Sequence, residues 1–255
     1  MNKLSAIIIT RNEERNIGRC LESLQGVADE VIVVDSGSTD ATETICRQAG
    51  ARFERHSWEG YSAQKNYANS LASHPWTLSL DADEALSPTL KQSLLSWKQK
   101  ESQPALYSFH RLTNYCGTWI HHCGWYPDRA VRLFPTGTAH WDGLVHEKLI
   151  AHDQSLITYN IPGDILHYSY YSVEEHAERQ LHYATLAAQK AHAANKHVSR
   201  LGLWLRPKWT FIRNYIFKLG FLDGHAGYLI CHMSAYYTFL KYSFLFQLSH
   251  PKENK

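Results

Sequence analysis

The run LSAIIIT, from Leu4 to Thr10, is a continuous apolar and β-branched segment near the start of the chain. Such a run predicts a strand that is buried on both faces, as in a parallel sheet covered by helices. A second run of this kind, EVIVVD, spans Glu30 to Asp35. Between the two runs, the spacing of apolar side chains predicts a helix over 12–24. The order strand, helix, strand is the unit from which parallel sheets are built.

The same alternation continues over the first hundred residues. The patterns predict a helix that carries Ile45, a strand over 51–56, a helix over 62–72, a strand over 76–80 and a helix over 88–100. This order favours a doubly wound, mostly parallel sheet. Ligands of such sheets bind beyond the carboxyl ends of the strands.

The segment that follows is rich in Trp, Tyr and His, and its strand-like runs are short. They lie at 105–112, 130–134 and 156–160. We predict that they extend the sheet with antiparallel or mixed strands. A helical pattern over 173–194 comes next. The predicted fold class is therefore α/β: a Rossmann-like mixed sheet flanked by helices, with a helical C-terminal extension.

Composition limits the partners of the protein. The net charge of +2 is too small to favour nucleic acid, so we expect no nucleic-acid partner. Five scattered cysteines and an N-terminus without signal-peptide features predict a cytoplasmic protein. Residues 201–248 mix basic and aromatic side chains, which favours a region that lies on an anionic membrane surface. The alternative is that these aromatic side chains only pack on the main domain.

Polar clusters follow three of the predicted strands: TRNEE, DSGSTD and DADE. If the topology is as predicted, all three meet at one edge of the sheet. The carboxylates of the DADE segment, directly after a predicted buried strand, supply the oxygen ligands that Mg²⁺ or Mn²⁺ prefers when it binds a diphosphate. Taken alone, the pattern D-x-D is weak evidence, because acidic residues are common in turns.

The segments IIITRNEERNIGRCLESL, VIVVDSGSTDAT and LSLDADE, in this order and spacing, resemble the inverting glycosyltransferases of family 2, which have the GT-A fold. The later segments GWYPDRAVRLF and WDGLVHEKL resemble a bacterial subgroup that adds a hexose, usually glucose, to the lipopolysaccharide inner core. The resemblance implies a UDP-sugar donor, a lipopolysaccharide core acceptor and a position on the inner face of the cytoplasmic membrane. It implies a GT-A domain over 1–170, with a nucleotide-binding half (1–100) and an acceptor-binding half (101–170), and a helical, membrane-associating region over 171–255.

The resemblance also implies roles on the donor side. The expected nucleotide contacts are Thr10, Asn12, Glu13, Asp35, Lys65 and Asp81, and the expected ligands of Mg²⁺ or Mn²⁺ are Asp83 and His167. Each role has a structural alternative. Asp35 is also suited to cap its own turn, Lys65 to be a solvated helix residue, and His167 to be a buried structural residue.

On the acceptor side, the resemblance implies that Glu147 is the base that accepts a proton from the attacking hydroxyl. Its structural alternative is an exposed loop glutamate. The other expected acceptor contacts are Trp125, Arg129, Arg132 and Trp141. Arginine suits phosphate or an anionic acceptor, and tryptophan suits stacking on a sugar, although core packing is an equal alternative for the tryptophans. We assign Glu84 no chemical role.

Three other functions remain open at this stage. The acceptor of a glycosyltransferase of this kind can be a polyprenyl phosphate instead. A sugar nucleotidyltransferase would share the sheet and the aspartates, but it normally has a glycine-rich loop after the first strand, where this chain reads TRNEERN. A non-catalytic protein that binds sugar nucleotides or lipid surfaces is the third possibility.

Overall fold

The computed structural model describes residues 1–100, 103–143 and 147–250. The chain divides into two compact units. The first unit comprises Met1–Arg111 and Asp128–Tyr168, and the second comprises Leu112–Pro127 and Ser169–Lys255.

Strands and helices alternate through the first half of the chain, as predicted. In order they are β1 (Leu4–Thr10), α1 (Ile17–Leu24), β2 (Glu30–Asp35), α2 (Thr42–Gln48), β3 (Arg52–Arg55), α3 (Tyr61–Leu71), β4 (Trp76–Asp81), β5 (Glu84–Leu86) and α4 (Pro88–Lys98). The elements that follow are mostly strands: β6 (Leu106–Tyr115), β7 (Thr118–Ile120), β8 (Asp128–Pro135), β9 (Ala139–Asp142), β10 (Lys148–Ala151) and β11 (Thr158–Tyr170).

The main sheet has the strand order β3-β2-β1-β4-β8-β6-β11-β5. Strands β1 to β4 are parallel to one another, whereas β8 is antiparallel to β4 and β6, and β5 is antiparallel to β11. The predicted Rossmann-like mixed sheet is therefore confirmed. A small separate sheet pairs β9 with β10.

Helices cover both faces of the parallel part of the sheet. Along β1 the side chains alternate, so Leu4 and Ile8 belong to the large hydrophobic cluster that also contains residues of α1 and α4. Ile7 and Ile9 belong to a second cluster with Ala68 of α3. All seven residues of β1 are buried, which explains why its sequence is largely apolar rather than alternating between apolar and polar residues.

Several element boundaries differ from the sequence prediction by one to three residues, and two differ by more. The first helix begins at Ile17 rather than at residue 12, because Asn12 has a left-handed backbone (φ +54°) and belongs to the loop after β1. The strand expected over 156–160 instead spans Thr158–Tyr170 and continues past Gly163. Gly163 has φ +106°, and a Cβ there would lie 2.3 Å from the backbone nitrogen of Leu90, so only glycine fits.

The second unit is mainly helical. Its helices are α5 (Val173–Ala193), α6 (Arg200–Ile212) and α7 (Gly224–Ser249), with a π-helical turn at Arg213–Phe217 and a 3₁₀ turn at Gly220–Asp223. Helix α7 packs against both α5 and α6. Among the described helices, none combines the length and the apolar composition required to cross a bilayer.

Candidate active site

The loops that follow β1 and β2 are joined by hydrogen bonds. The Asn12 N–H donates to Ser38 Oγ at 2.8 Å, and the Thr39 N–H donates to Asn12 Oδ1 at 2.8 Å. In the sheet register, Thr10 lies beside Asp35 and Ile9 lies beside Asp81. The three polar clusters therefore meet at one edge of the sheet, as the sequence predicts.

The residues expected to contact the nucleoside lie at this edge, and several of them also hold the loops in place. The buried Asp35 carboxylate accepts the N–H groups of Gly37 and Ser38, each at 2.9 Å, so it caps its own turn. Glu13 Oε2 accepts from Asn16 Nδ2 at 2.8 Å. Contact of these side chains with a nucleoside stays a prediction.

Lys65 connects two other predicted site residues. It lies on α3, and only 2% of its surface is exposed. Its Nζ is 2.9 Å from Asp81 Oδ1 and 2.7 Å from Glu147 Oε1, and it lies 4.7 Å from the ring centroid of Trp141. The ammonium group of Lys65 therefore brings together three residues from other elements of the chain, Asp81, Trp141 and Glu147. The alternative of a solvated lysine is wrong.

Arg132 contacts the same cluster from β8. Its guanidinium is buried, and Nη2 donates to Asp81 Oδ2 and to Glu84 Oε1, each at 2.9 Å. Among the described residues, Arg132 Nε and Nη1 have no hydrogen-bond partner. The binding of an anionic acceptor by Arg132 stays a prediction.

Glu84 is the residue that the sequence argument missed. Its side chain is fully buried on β5, where Oε2 accepts the Asp81 N–H at 3.0 Å. Oε1 accepts from Arg132 and lies 3.5 Å from Nη1 of Arg111. Glu84 therefore fixes both the backbone of Asp81 and the guanidinium that binds Asp81. One sequence feature could have indicated this role. Glu84 directly precedes the apolar pair Ala85 and Leu86, and such a short run between turn residues is typical of a buried strand.

The charges in this cluster stabilise one another. Burial alone would raise the pKa of Asp81, but the Lys65 and Arg132 cations outweigh it and hold that pKa well below its usual range. Burial also acts to raise the pKa of Glu147, and Lys65 again outweighs it, so the pKa of Glu147 is lowered. The pKa of Arg132, which burial alone would lower, is raised by Glu84 and Asp81. Asp81, Glu147 and Arg132 are therefore charged at neutral pH.

The two predicted metal ligands are also in contact. His167 Nε2 lies 3.2 Å from Asp83 Oδ2, and the Tyr168 N–H donates to the Asp83 carbonyl oxygen at 2.9 Å. His167 Nδ1 is buried and has no partner among the described residues. A carboxylate and an imidazole fit a divalent ion whose remaining ligands are phosphate and water oxygens. Within the described part of the chain, no group of three or more His, Cys, Asp or Glu side chains gathers at one point.

The remaining predicted acceptor contacts differ in their surroundings. Trp141 is buried on β9, and its Nε1 has no partner within the described ranges. Arg129 on β8 is exposed, and its Nε is 3.0 Å from His110 Nε2. Trp125 belongs to the second unit, where its ring packs against Tyr115 and Tyr170. Part of the segment WDGLVHEKL, residues 144–146, lies outside the described residues.

Comparison with known proteins identifies the family. The sequence model described as glycosyl transferase family 2 matches residues 5–174, about two thirds of the chain. The chain belongs to this family. The matched region includes every residue of the charged cluster around Lys65, together with Asp83 and His167.

Several relatives of this glycosyltransferase align over most of both chains. An uncharacterized glycosyltransferase of Rickettsia typhi is 28% identical, over 100% of this chain and 90% of the relative. The lipopolysaccharide core biosynthesis glycosyltransferase LpsC of Rhizobium meliloti is 30% identical, over 96% of this chain and 92% of the relative. Among solved structures, glucosyl-3-phosphoglycerate synthase of Mycobacterium tuberculosis, in complex with Mn²⁺, UDP and its product, is 23% identical, with a TM-score of 0.37 over 46% of this chain and 45% of that one.

Proposed function

We propose that this glycosyltransferase moves a hexose, glucose in the first instance, from a UDP-sugar to an inner-core lipopolysaccharide acceptor with inversion at the anomeric carbon. The observation that carries the proposal is the contact of Lys65 with both Asp81 and Glu147. It joins a donor-side carboxylate at the end of β4 to the carboxylate expected to act as base. An enzyme that transfers a sugar needs these two functions at adjoining positions.

The donor would bind at the edge formed by the loops after β1, β2 and β4. The Thr10 hydroxyl supports this, because it is buried at the end of β1 and has no hydrogen-bond partner among the described residues. A buried hydroxyl of this kind is suited to a ligand that supplies the missing partner. Asn12, Glu13 and Asp35 would complete the nucleoside side of the site, and Asp81 would contact the ribose.

Mg²⁺ or Mn²⁺ would be held by Asp83 and His167 together with the donor diphosphate. When bound, the cation stabilises negative charge on the departing nucleoside diphosphate. The buried cations of the chain complement this, since Lys65 and Arg132 keep Asp81 ionised beside the site. Arg132 also retains two nitrogens that no described residue uses.

Glu147 would act as the general base. As the acceptor oxygen forms its bond to the anomeric carbon, its proton passes to the Glu147 carboxylate, and the bond from that carbon to the diphosphate oxygen breaks on the opposite side. Lys65 lowers the pKa of Glu147, so the carboxylate is ionised and ready to accept a proton at neutral pH. Release of Glu147 from Lys65 when the diphosphate binds would increase its basicity.

The choice of acceptor is supported by the relative from Rhizobium meliloti, which is named for lipopolysaccharide core biosynthesis and aligns over nearly the whole of both chains. Trp125, Arg129, Arg132 and Trp141 are the proposed acceptor contacts. A polyprenyl phosphate is the second candidate acceptor, because it too is presented at a membrane surface.

Binding at the inner face of the cytoplasmic membrane is supported by the surface of the second unit. Trp204 and Phe217 expose 71% and 68% of their surfaces. Other exposed large apolar side chains of the segment 201–222 include Leu201, Leu205, Trp209, Ile216, Phe221 and Leu222. Basic residues are interspersed among them, an arrangement typical of segments that lie in the interface of an anionic bilayer.

A transfer assay tests the proposed function. The purified protein is incubated with UDP-glucose, UDP-galactose or their N-acetyl forms and with lipopolysaccharide of truncated core, in the presence of Mg²⁺ or Mn²⁺. We expect transfer of glucose to a heptose-terminated core, with a product whose anomeric configuration is opposite to that of the donor. Transfer only to polyprenyl phosphate would show that the acceptor is this lipid and not lipopolysaccharide. Retention of configuration would contradict the role of Glu147 as general base.

The nucleotidyltransferase alternative is tested in the same assay. Release of pyrophosphate from a nucleoside triphosphate and a sugar phosphate, without transfer from any UDP-sugar, would favour that function and overturn the proposal.

A further inference from the structure

A cavity of about 540 Å³ lies in the second unit, between α5, α6 and α7. Its volume is within the range of about 300–1,000 Å³ that is typical of ligand-binding clefts. Its polar lining consists of Lys190, Lys196, His197, Arg206, Lys241 and Tyr242. We call this feature the cationic pocket. The residues that carry the proposed transfer reaction, around Lys65 and Glu147, belong to the first unit.

Within residues 169–250, no carboxylate forms a salt bridge with the cations of this pocket. Residues 180–222 contain no Asp or Glu at all. Within the described part of the second unit, Lys190, Lys196, Arg206 and Lys241 form no salt bridge, whereas Arg179 on the same helix as Lys190 is paired with Glu175. Four positive charges around one cavity repel one another, and an anionic ligand would reduce that repulsion.

The asymmetry extends to the chain as a whole. Residues 1–178 contain 15 Lys and Arg against 22 Asp and Glu, whereas residues 179–255 contain 11 against 2. The pocket is therefore set in the strongly basic part of a protein whose net charge is only +2. A concentration of charge of this kind attracts anions well before they make contact.

Tyr242 holds two of the cations at the pocket. Arg206 Nη1 donates to the Tyr242 hydroxyl at 2.9 Å, and its guanidinium carbon lies 4.5 Å from the ring centroid. Lys241 Nζ lies 5.5 Å from the same ring. Tyr242 therefore positions the guanidinium, and the described residues form no salt bridge with it.

The base of the pocket is apolar and well packed. Ala191 and Leu245 line it, and both belong to the buried cluster that joins α5 and α7. A rigid apolar base with cations around it suits a compact anion that is held by its charge, rather than a large apolar ligand. Lysine supplies point charges and arginine a planar fork, the two groups with which proteins most often bind phosphate.

We propose that the cationic pocket binds a phosphate group. Two sources have this chemistry: the headgroup of an anionic lipid and free inorganic phosphate. The exposed tryptophans of α6, next to Arg206 in sequence, make the lipid headgroup the expected source. The site does not depend on the proposed transfer reaction, because phosphate binding can be measured in the absence of any sugar donor or acceptor.

The test uses the full chain and two probes. Calorimetric titration measures binding of inorganic phosphate, and cosedimentation measures binding to phosphatidylcholine vesicles with and without phosphatidic acid. Arg206→Gln and Lys241→Gln remove pocket charges. The matched control is Lys208→Gln, an equal change of charge on α6, two residues from Arg206, at an exposed position outside the pocket.

We expect Arg206→Gln and Lys241→Gln to weaken binding at least about tenfold, because each removes a charge-assisted contact, and Lys208→Gln to change it by less than about threefold. Selective loss of vesicle binding identifies a lipid headgroup, and selective loss with inorganic phosphate alone identifies free phosphate. Equal losses in all three variants would mean that anions are attracted by the basic surface in general, and this would contradict the proposed site. Absence of binding of both probes would also contradict it. Arg206→Lys, which keeps the charge, should retain most of the binding and shows that a loss is not due to misfolding.

Discussion

The two units of this glycosyltransferase use buried or clustered cations in opposite ways. In the first unit, Lys65 and Arg132 are buried and contact three carboxylates of the same chain. In the second unit, Lys190, Lys241 and Arg206 line a cavity without a single described carboxylate partner. Both arrangements carry several positive charges, but among the described residues carboxylates pair with the cations of the first and not with those of the second.

The difference separates two uses of charge. A buried cation whose partners are carboxylates of the same chain fixes the geometry of those carboxylates. Removal of one carboxylate then strongly destabilises the folded protein. A cation without partners contributes little to the fold and is available to an external anion. Lys65 and Arg132 thus organise the candidate active site, whereas the cationic pocket is suited to capture.

The largest effect is expected for Glu147→Gln. The amide cannot accept the acceptor proton, so kcat should fall by about 10²–10⁴-fold, the usual contribution of a general base. The measurement is the steady-state rate of hexose transfer, and the control is Glu59→Gln, an exposed glutamate of the same unit. A kcat within about threefold of the wild type would contradict the assignment of Glu147 as base.

The second largest effect is expected on the thermal stability of the first unit, when a carboxylate partner of its buried cations is removed. Glu84→Gln leaves Arg132 buried with less compensation, and loss of a buried charge partner costs about 3–5 kcal/mol. At roughly 2–4 °C per kcal/mol for units of this size, the Tm should fall by on the order of 10 °C. Glu22→Gln, at an exposed position of α1, is the matched control and should leave the Tm nearly unchanged. Equal Tm values for the two variants would mean that the cluster contributes nothing to the fold.

The third prediction is a change in the pH dependence of the reaction. Lys65 lowers the pKa of Glu147, so the wild type keeps an ionised base to a lower pH than an isolated buried carboxylate would. Lys65→Met removes this effect and leaves the effect of burial, so the pKa of Glu147 rises. The acidic limb of the kcat/KM profile should move to higher pH, and Lys65→Arg should restore most of the difference. An acidic limb at the same pH in Lys65→Met would break the link between the two residues.

The smallest effect is expected in the second unit. Lys241→Gln removes a cation that has no described ionic partner, so the free energy of unfolding should change by less than about 0.5 kcal/mol in the absence of phosphate. Denaturant unfolding measures this change, with Glu84→Gln as the contrasting variant. A large loss of stability would mean that Lys241 is neutralised within the protein, and the contrast between the units would fail.

The fold was largely predictable, because the signals are local. Buried strands such as β1 and β2 read as apolar runs, and their order determined the sheet. The boundaries that were missed depend on tertiary contacts. The left-handed Asn12 is fixed by Ser38 and Thr39, and the continuation of β11 through Gly163 depends on its approach to Leu90. Ser38 and Thr39 are more than 20 positions from Asn12, and Leu90 is more than 70 positions from Gly163, so local sequence patterns do not reveal these contacts.

The candidate site was predictable only in part. Strand ends and the family resemblance identified Lys65, Asp81 and Glu147 as site residues, but not that one ammonium group contacts both carboxylates. Glu84 was missed because its role depends on Arg132, 48 positions away. The cationic pocket was missed for the same reason, since its lining comes from three helices and no segment of sequence contains it.

The uneven distribution of charge along the chain has a consequence for the protein in solution. With a net charge of +2, neighbouring molecules repel one another only weakly. The acidic part of one molecule can then attract the basic part of the next, and at about 0.1 M salt this attraction is screened within about 10 Å. We therefore expect the protein to salt in: its solubility should rise as ionic strength increases, and cation exchangers should retain it even above its isoelectric point of about 8.2.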